Sequence, residues 1–147
     1  MTIKRAPSSQ SLFQVSELPL SVWSQRFVSA KFPKGLFRHQ IEALHRFLDG
    51  SDVGITTSTA SGKSVIFYAA AIEAISRDPG MRVLAIYPLK ALAREQEQRW
   101  TAAFSVAGLP PCGVARFDGD VPVSQRFTLL KKAAVVVATP DILHALL

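Results

Sequence analysis

Residues 58–64 read Ser-Thr-Ala-Ser-Gly-Lys-Ser, between a short β-prone segment, Asp52 to Thr57, and an almost wholly apolar helix-prone run, Ser64 to Ser76. A turn of small residues that joins a strand to a helix N-terminus lets consecutive backbone N–H groups wrap a phosphate. The helix dipole at that point favours an anion. Thr59, Ala60, Ser61 and Gly62 are small enough for the wrap. Lys63 supplies charge for the β- and γ-phosphates, and the Ser64 hydroxyl supplies a ligand for Mg²⁺. The usual pattern begins with Gly, whereas this chain has Thr57. A Gly-Lys-Ser tripeptide also occurs in ordinary turns, so the flanking strand, the apolar helix and the small residues carry the argument for an ATP-type phosphate loop.

The rest of the chain fits that loop into one fold class. Leu36, Ile41, Leu44, Phe47 and Leu48 recur at helical spacing, and Gly50 stops the run. Beyond the loop, apolar strands at Met81–Tyr87, Gly113–Phe117 and Ala133–Ala138 alternate with helices at Leu89–Val106 and Ser124–Lys132. A further helix starts at Asp141. Strands that read as continuous apolar runs and alternate with helices predict an α/β protein, a parallel sheet with helices on both faces.

Composition removes several function classes. The single cysteine, Cys112, forms no internal disulfide and supplies no zinc site. The longest apolar stretch, Val65 to Ile72, is far short of the roughly 20 residues that span a bilayer, and no secretory signal follows Lys4 and Arg5. A cytoplasmic setting without membrane partners is therefore expected. The 147 residues carry 17 Lys and Arg against 11 Asp and Glu, a net +6 that favours a polyanionic partner. Seven of the basic residues and three of the acids precede residue 51.

Three further segments offer groups for nucleotide or nucleic acid. Gln40 lies in Gly35-Leu-Phe-Arg-His-Gln, and an amide side chain matches the donor and acceptor edge of adenine. Phe37 or Arg38 is placed to stack on the ring, although a solvated helix start has the same residues. Tyr87-Pro88 leads into a helix with Lys90 and Arg94 on one face, a turn suited to backbone phosphates or equally to a solvated amphipathic helix. Asp118-Gly119-Asp120 is a tight polar turn with no further metal ligand visible. The strand at residues 133–138 runs into Thr139 and Pro140, where a hydroxyl and a helix N-terminus again suit phosphate.

Together these segments resemble the N-terminal part of a superfamily 2 helicase motor, a RecA-like P-loop domain. Gly35 to Leu44 resembles the adenine-reading Gln motif, and Thr57 to Ser64 resembles motif I, whose first position in that superfamily is often not Gly. Tyr87 to Gln96 resembles motif Ia, Asp118 to Asp120 the short Gly-Asp element after it, and Thr139 to His144 motif Ib. The wording "TSTASGKS", "YPLKALAREQ", "FDGD" and "ATPDILH" is most similar to YprA-type and Lhr-like DNA helicases. DEAD-box RNA helicases usually read "PTREL" at the second place.

The resemblance covers residues 35–147, with residues 1–34 as an N-terminal extension. It implies that Gln40 reads adenine and that Lys63 and Ser64 hold ATP and Mg²⁺. Pro88, Lys90, Gly119, Asp120, Thr139 and Pro140 would line the path of one nucleic-acid strand. DNA is favoured over RNA, with 3′→5′ movement and a repair setting.

ATP hydrolysis in this class also needs an Asp for Mg²⁺ and a Glu to orient water. After Asp120 the only acid is Asp141, which follows Pro140 rather than sitting in an Asp-Glu pair, and reads as a residue of the last helix start. The expectation is a truncated first motor domain that binds ATP without turning it over, the acidic motif and the second RecA-like domain lying elsewhere. A small P-loop kinase using Asp141 for Mg²⁺, and a non-catalytic nucleic-acid-binding module, are the competing readings.

Overall fold

The computed structural model describes residues 12–56, 62–109 and 113–144. In chain order the elements are β1 (Leu12–Phe13), α1 (Val22–Lys31), β2 (Leu36–Phe37), α2 (Arg38–Leu48), α3 (Lys63–Arg77), β3 (Val83–Ile86), α4 (Lys90–Ala107), β4 (Gly113–Phe117), α5 (Val123–Lys132), β5 (Ala133–Ala138) and α6 (Pro140–His144). The expected α/β architecture is present. β3, β5 and β4 form a parallel sheet in that order, flanked by helices, and the crossovers α4 and α5 return the chain to the same end each time.

β5 is the middle strand, and all six of its residues are buried. Val135 pairs with Val83 on one side and Val114 on the other, so β-branched side chains stack across the sheet. The helices over it bury Ile66, Ala69, Ile72 and Ile75 of α3 and Ala93, Trp100, Phe104 and Ala107 of α4. At about 25 cal/mol per Å² of apolar surface removed from water, this packing is the main force that holds the sheet and helices together.

The strand expected over Asp52–Thr57 does not form in the described part of that run. Residues 51–56 carry no strand, and Thr57 lies outside the described residues. A β-prone run becomes a strand only when a neighbour takes up its backbone hydrogen bonds, and no described strand lies beside it. Val53 and Ile55 nonetheless pack against the core. Among the described residues β3 and β4 are the two outer strands of this sheet, and on β3 Leu84 and Ile86 are each 52% exposed.

Residues 12–34 share the same core. Phe27 and Val28 of α1 are fully buried among the residues of α3 and α4. Ser21 caps α1 by accepting from the Ser24 N–H at 3.3 Å, and its own N–H donates to Glu73 of α3 at 2.8 Å. Glu73 also accepts from Arg77 at 2.6 Å, and Arg77 reaches back to the Pro19 carbonyl at 3.0 Å. Burial pushes the Glu73 carboxyl up, but the hydrogen bonds from Ser21, Ser24 and Arg77 outweigh it, and its pKa lies below the usual carboxylate value.

Candidate nucleotide and nucleic-acid site

α3 starts at Lys63, directly after Gly62, which caps it at φ +73°. That left-handed backbone favours glycine, and so do its surroundings. A Cβ on Gly62 would lie 2.7 Å from Gln40 Nε2 and 2.7 Å from Phe32 Cζ. The Gln40 segment and the end of the Gly-Lys-Ser loop, 22 residues apart in sequence, are thus in contact. Lys63 is half-buried and Ser64 is exposed, both at the N-terminus of α3. Thr59, Ala60 and Ser61 lie outside the described residues.

Gln40 itself is fully buried, and its Oε1 accepts from the Phe37 N–H at 2.9 Å. Phe37 is half-buried, its ring stacked on His39 with centroids 6.0 Å apart. Arg38 is exposed, with its Nε donating to Glu42 at 2.8 Å. Of the three adenine candidates, Gln40 is the one in contact with Gly62.

The second group of candidates assembles at the carboxyl ends of three adjacent parallel strands. Ala138 of β5 pairs with Ile86 of β3 and Phe117 of β4, and its carbonyl also accepts from the Tyr87 N–H at 2.9 Å. The three loops that follow, at Pro88–Lys90, Gly119–Asp120 and Thr139–Pro140, therefore emerge side by side. In open α/β sheets this is the end at which ligands bind. Lys90 Nζ lies 3.6 Å from Asp120 Oδ1, and Arg94 is exposed one turn further along α4. Thr139 is buried, and among the described residues its Oγ1 has no hydrogen-bond partner. Asp141 sits in the first turn of α6, as expected of a helix-start residue. No cluster of three metal-ligating side chains occurs among the described residues.

Sequence reasoning missed what holds these loops. Asp118 is fully buried, accepts the Asp120 N–H at 3.0 Å through Oδ1 and forms an ion pair with Arg116. Arg116 also donates to Glu97 of α4 at 3.2 Å. A further link joins the two helices. The Tyr68 hydroxyl of α3 donates to Gln96 of α4 at 2.6 Å, and Trp100 Nε1 donates to the Tyr87 hydroxyl at 3.0 Å. Burial, chiefly, pushes the Tyr68 pKa up to about 12, so it remains a proton donor throughout the physiological range. Charged residues on β4 and α4, at Arg116 and Glu97, were the only sequence signal for the first of these links.

The chain is similar to several known proteins. Residues 37–147 match the family model for the DEAD/DEAH box helicase. The ATP-dependent helicase HRQ1 of Saccharomyces cerevisiae is 36% identical over 76% of the chain, which spans 10% of that protein. The uncharacterized ATP-dependent helicase YprA of Bacillus subtilis is 29% identical over 75% of the chain, spanning 15% of its own length. The crystal structure of the DUF1998 helicase MrfA bound to DNA and AMPPNP superposes with a TM-score of 0.80 at 25% identity, over 97% of this chain and 19% of that one.

Proposed function

The chain belongs to the DEAD/DEAH box helicase family, and from that premise we propose that it is the ATP-binding, strand-gripping part of the first motor domain of a DNA helicase. In this reading the motor moves 3′→5′ along DNA, acts in repair and works in the cytoplasm. No helix among the described residues is long and apolar enough to cross a membrane. Residues 35–147 form the motor portion and residues 1–34 an N-terminal extension, of which the described part, residues 12–34, shares the motor's core. The chain spans between 10% and 15% of the two curated relatives named above, so the activity of a whole motor is part of the proposal.

The observation that carries the reading is the grouping of Lys90, Gly119 and Thr139 at one end of the sheet. Backbone N–H groups and a cation there suit phosphates of a single strand. At the other site, Lys63 would hold the β- and γ-phosphates, Ser64 would ligate Mg²⁺, and Gln40 would meet adenine. Bound Mg²⁺ would neutralise phosphate charge. The N-terminus of α3 would supply the partial positive charge.

The 147 residues contain no Asp-Glu pair after Asp120 to orient water, so this chain binds ATP without steady turnover. Two measurements test the reading. A fluorescent ATP analogue binds the wild-type chain and not Lys63→Ala, and a labelled single strand binds more weakly to Lys90→Ala. Steady ATP hydrolysis by the purified chain, abolished by Lys63→Ala, would overturn the inactive assignment.

A further inference from the structure

α5 has no buried residue, and its sequence, Val-Ser-Gln-Arg-Phe-Thr-Leu-Leu-Lys-Lys, contains three cations and no acid. It starts three residues after Asp120, the last residue of the loop that pairs with Lys90. Val123, Phe127 and Lys131 are spaced four apart and share one face of the helix. Val123 is 76% exposed and Phe127 is 67% exposed. Lys131 Nζ lies 4.5 Å from the centre of the Phe127 ring. Arg126 is held at the root of the helix, with its Nε donating to the Val121 carbonyl at 3.0 Å and its guanidinium 5.7 Å from the Phe117 ring.

Val123 and Phe127 lie one turn apart, so their exposed surfaces adjoin in one apolar strip on α5. The charge around it selects the occupant: with only cations on the helix, an acidic or phosphorylated polymer is favoured over a neutral apolar one. An aromatic face flanked by lysines binds single strands because each base stacks on the ring while the backbone phosphates meet the ammonium groups.

We propose that the outward face of α5, centred on Phe127 with Lys131 and Lys132, is a stacking platform for single-stranded nucleic acid, running from the loop at Gly119–Asp120 toward the start of β5 and so separate from the contacts at Lys90 and Thr139. This rests on the helicase reading above. Phe127 takes one base, and the two lysines take flanking phosphates. Stacking ignores the 2′-hydroxyl, so this face serves DNA and RNA alike.

The test is the affinity of the 147-residue chain for short labelled oligothymidine and oligouridine, measured by fluorescence anisotropy. Phe127→Ala and Phe127→Leu each weaken binding by about tenfold with both probes, while Phe127→Tyr binds like the wild type. ATP-analogue binding stays unchanged in all three, and an iodouracil-substituted strand photocrosslinks to Phe127. If the Phe127 variants bind strands normally while Lys90→Ala does not, the platform is overturned and the helicase reading stands. Retained affinity in Phe127→Leu overturns stacking in favour of simple apolar contact. If Phe127→Ala alters only self-association, the face contacts protein and the proposal fails. If the wild-type chain binds no strand at all, the helicase reading fails and takes this inference with it.

Discussion

The side-chain amide of Gln40 closes on Gly62: Nε2 lies 2.7 Å from where a Cβ would project from that glycine, while Oε1 accepts the Phe37 N–H. One buried amide thus fixes the start of α2 and faces the backbone from which α3 and the proposed phosphate site begin. Glycine is required at position 62 for two reasons that act together, the φ of +73° and the lack of space.

Gly62→Ala therefore forces either the backbone out of its left-handed conformation or Gln40 and Phe32 out of their packing. The expected cost is about 2 kcal/mol of stability together with loss of ATP-analogue binding. Gln40→Ala relieves the contact but strands the Phe37 N–H, at about 1 kcal/mol. Denaturant unfolding of both variants beside the wild type checks the ranking. A Gly62→Ala chain as stable as the wild type contradicts it.

Stability should fall in acid through Glu73. Its carboxyl has a lower pKa in the folded chain than in the unfolded one, so its contribution is complete above the ordinary value of about 4.3 and is lost as pH drops through the folded value. Protonation weakens the bonds from Ser21 and Arg77 and loosens α1 from α3. Thermal melts across pH 3 to pH 7 check this. Glu73→Gln is expected to be less stable at pH 7 and to show a shallower acid limb.

Arg116 balances a carboxylate that has no access to water. Arg116→Ala leaves Asp118 charged, buried and unpaired, and is expected to cost about 3 kcal/mol. Glu97→Ala removes the outer, partly exposed partner and costs less, about 1 kcal/mol. The order of the two, read from denaturant midpoints, is the check. Single-strand affinity is expected to fall in Arg116→Ala as well, because Asp118 sets the turn that carries Gly119.

The outer side of β3, unpaired among the described residues, is expected to make the chain associate. Leu84 and Ile86 point apolar side chains into solvent beside an unpaired backbone edge, and Phe67 of α3 is exposed nearby in the groove that also holds Val53. Sedimentation at rising concentration is expected to show oligomers that Ile86→Lys disperses toward monomer. A monomeric wild-type chain at high concentration refutes this.

Several of these features were legible beforehand. The Val-rich run at 133–138 reads as a central strand because both faces are apolar, and it is one. Gly62-Lys63-Ser64 marks the start of α3, and Pro88 marks the end of a strand run. Asp52–Thr57 was misread in its described part because a strand is defined by its neighbour, and local β-propensity carries no information about whether one is present. Arg116 and Asp118 alternate with apolar residues as any half-exposed strand does, so nothing local announces a buried ion pair. Residues 1–34 read as an N-terminal extension, yet in its described part Phe27 and Val28 are fully buried.

Hydrophobic period and loop chemistry, which act over a few residues, determined the α/β class and the order of helices and strands from residue 63 onward, and singled out Gly62-Lys63-Ser64 as a candidate phosphate loop. Only the tertiary structure decided that Gln40 meets Gly62, that three loops emerge together beyond Ala138, that Glu73 anchors α1 and that Phe127 remains in solvent. Those relationships depend on which elements pack together across long separations in the chain, and packing is selected by the energy of the whole core.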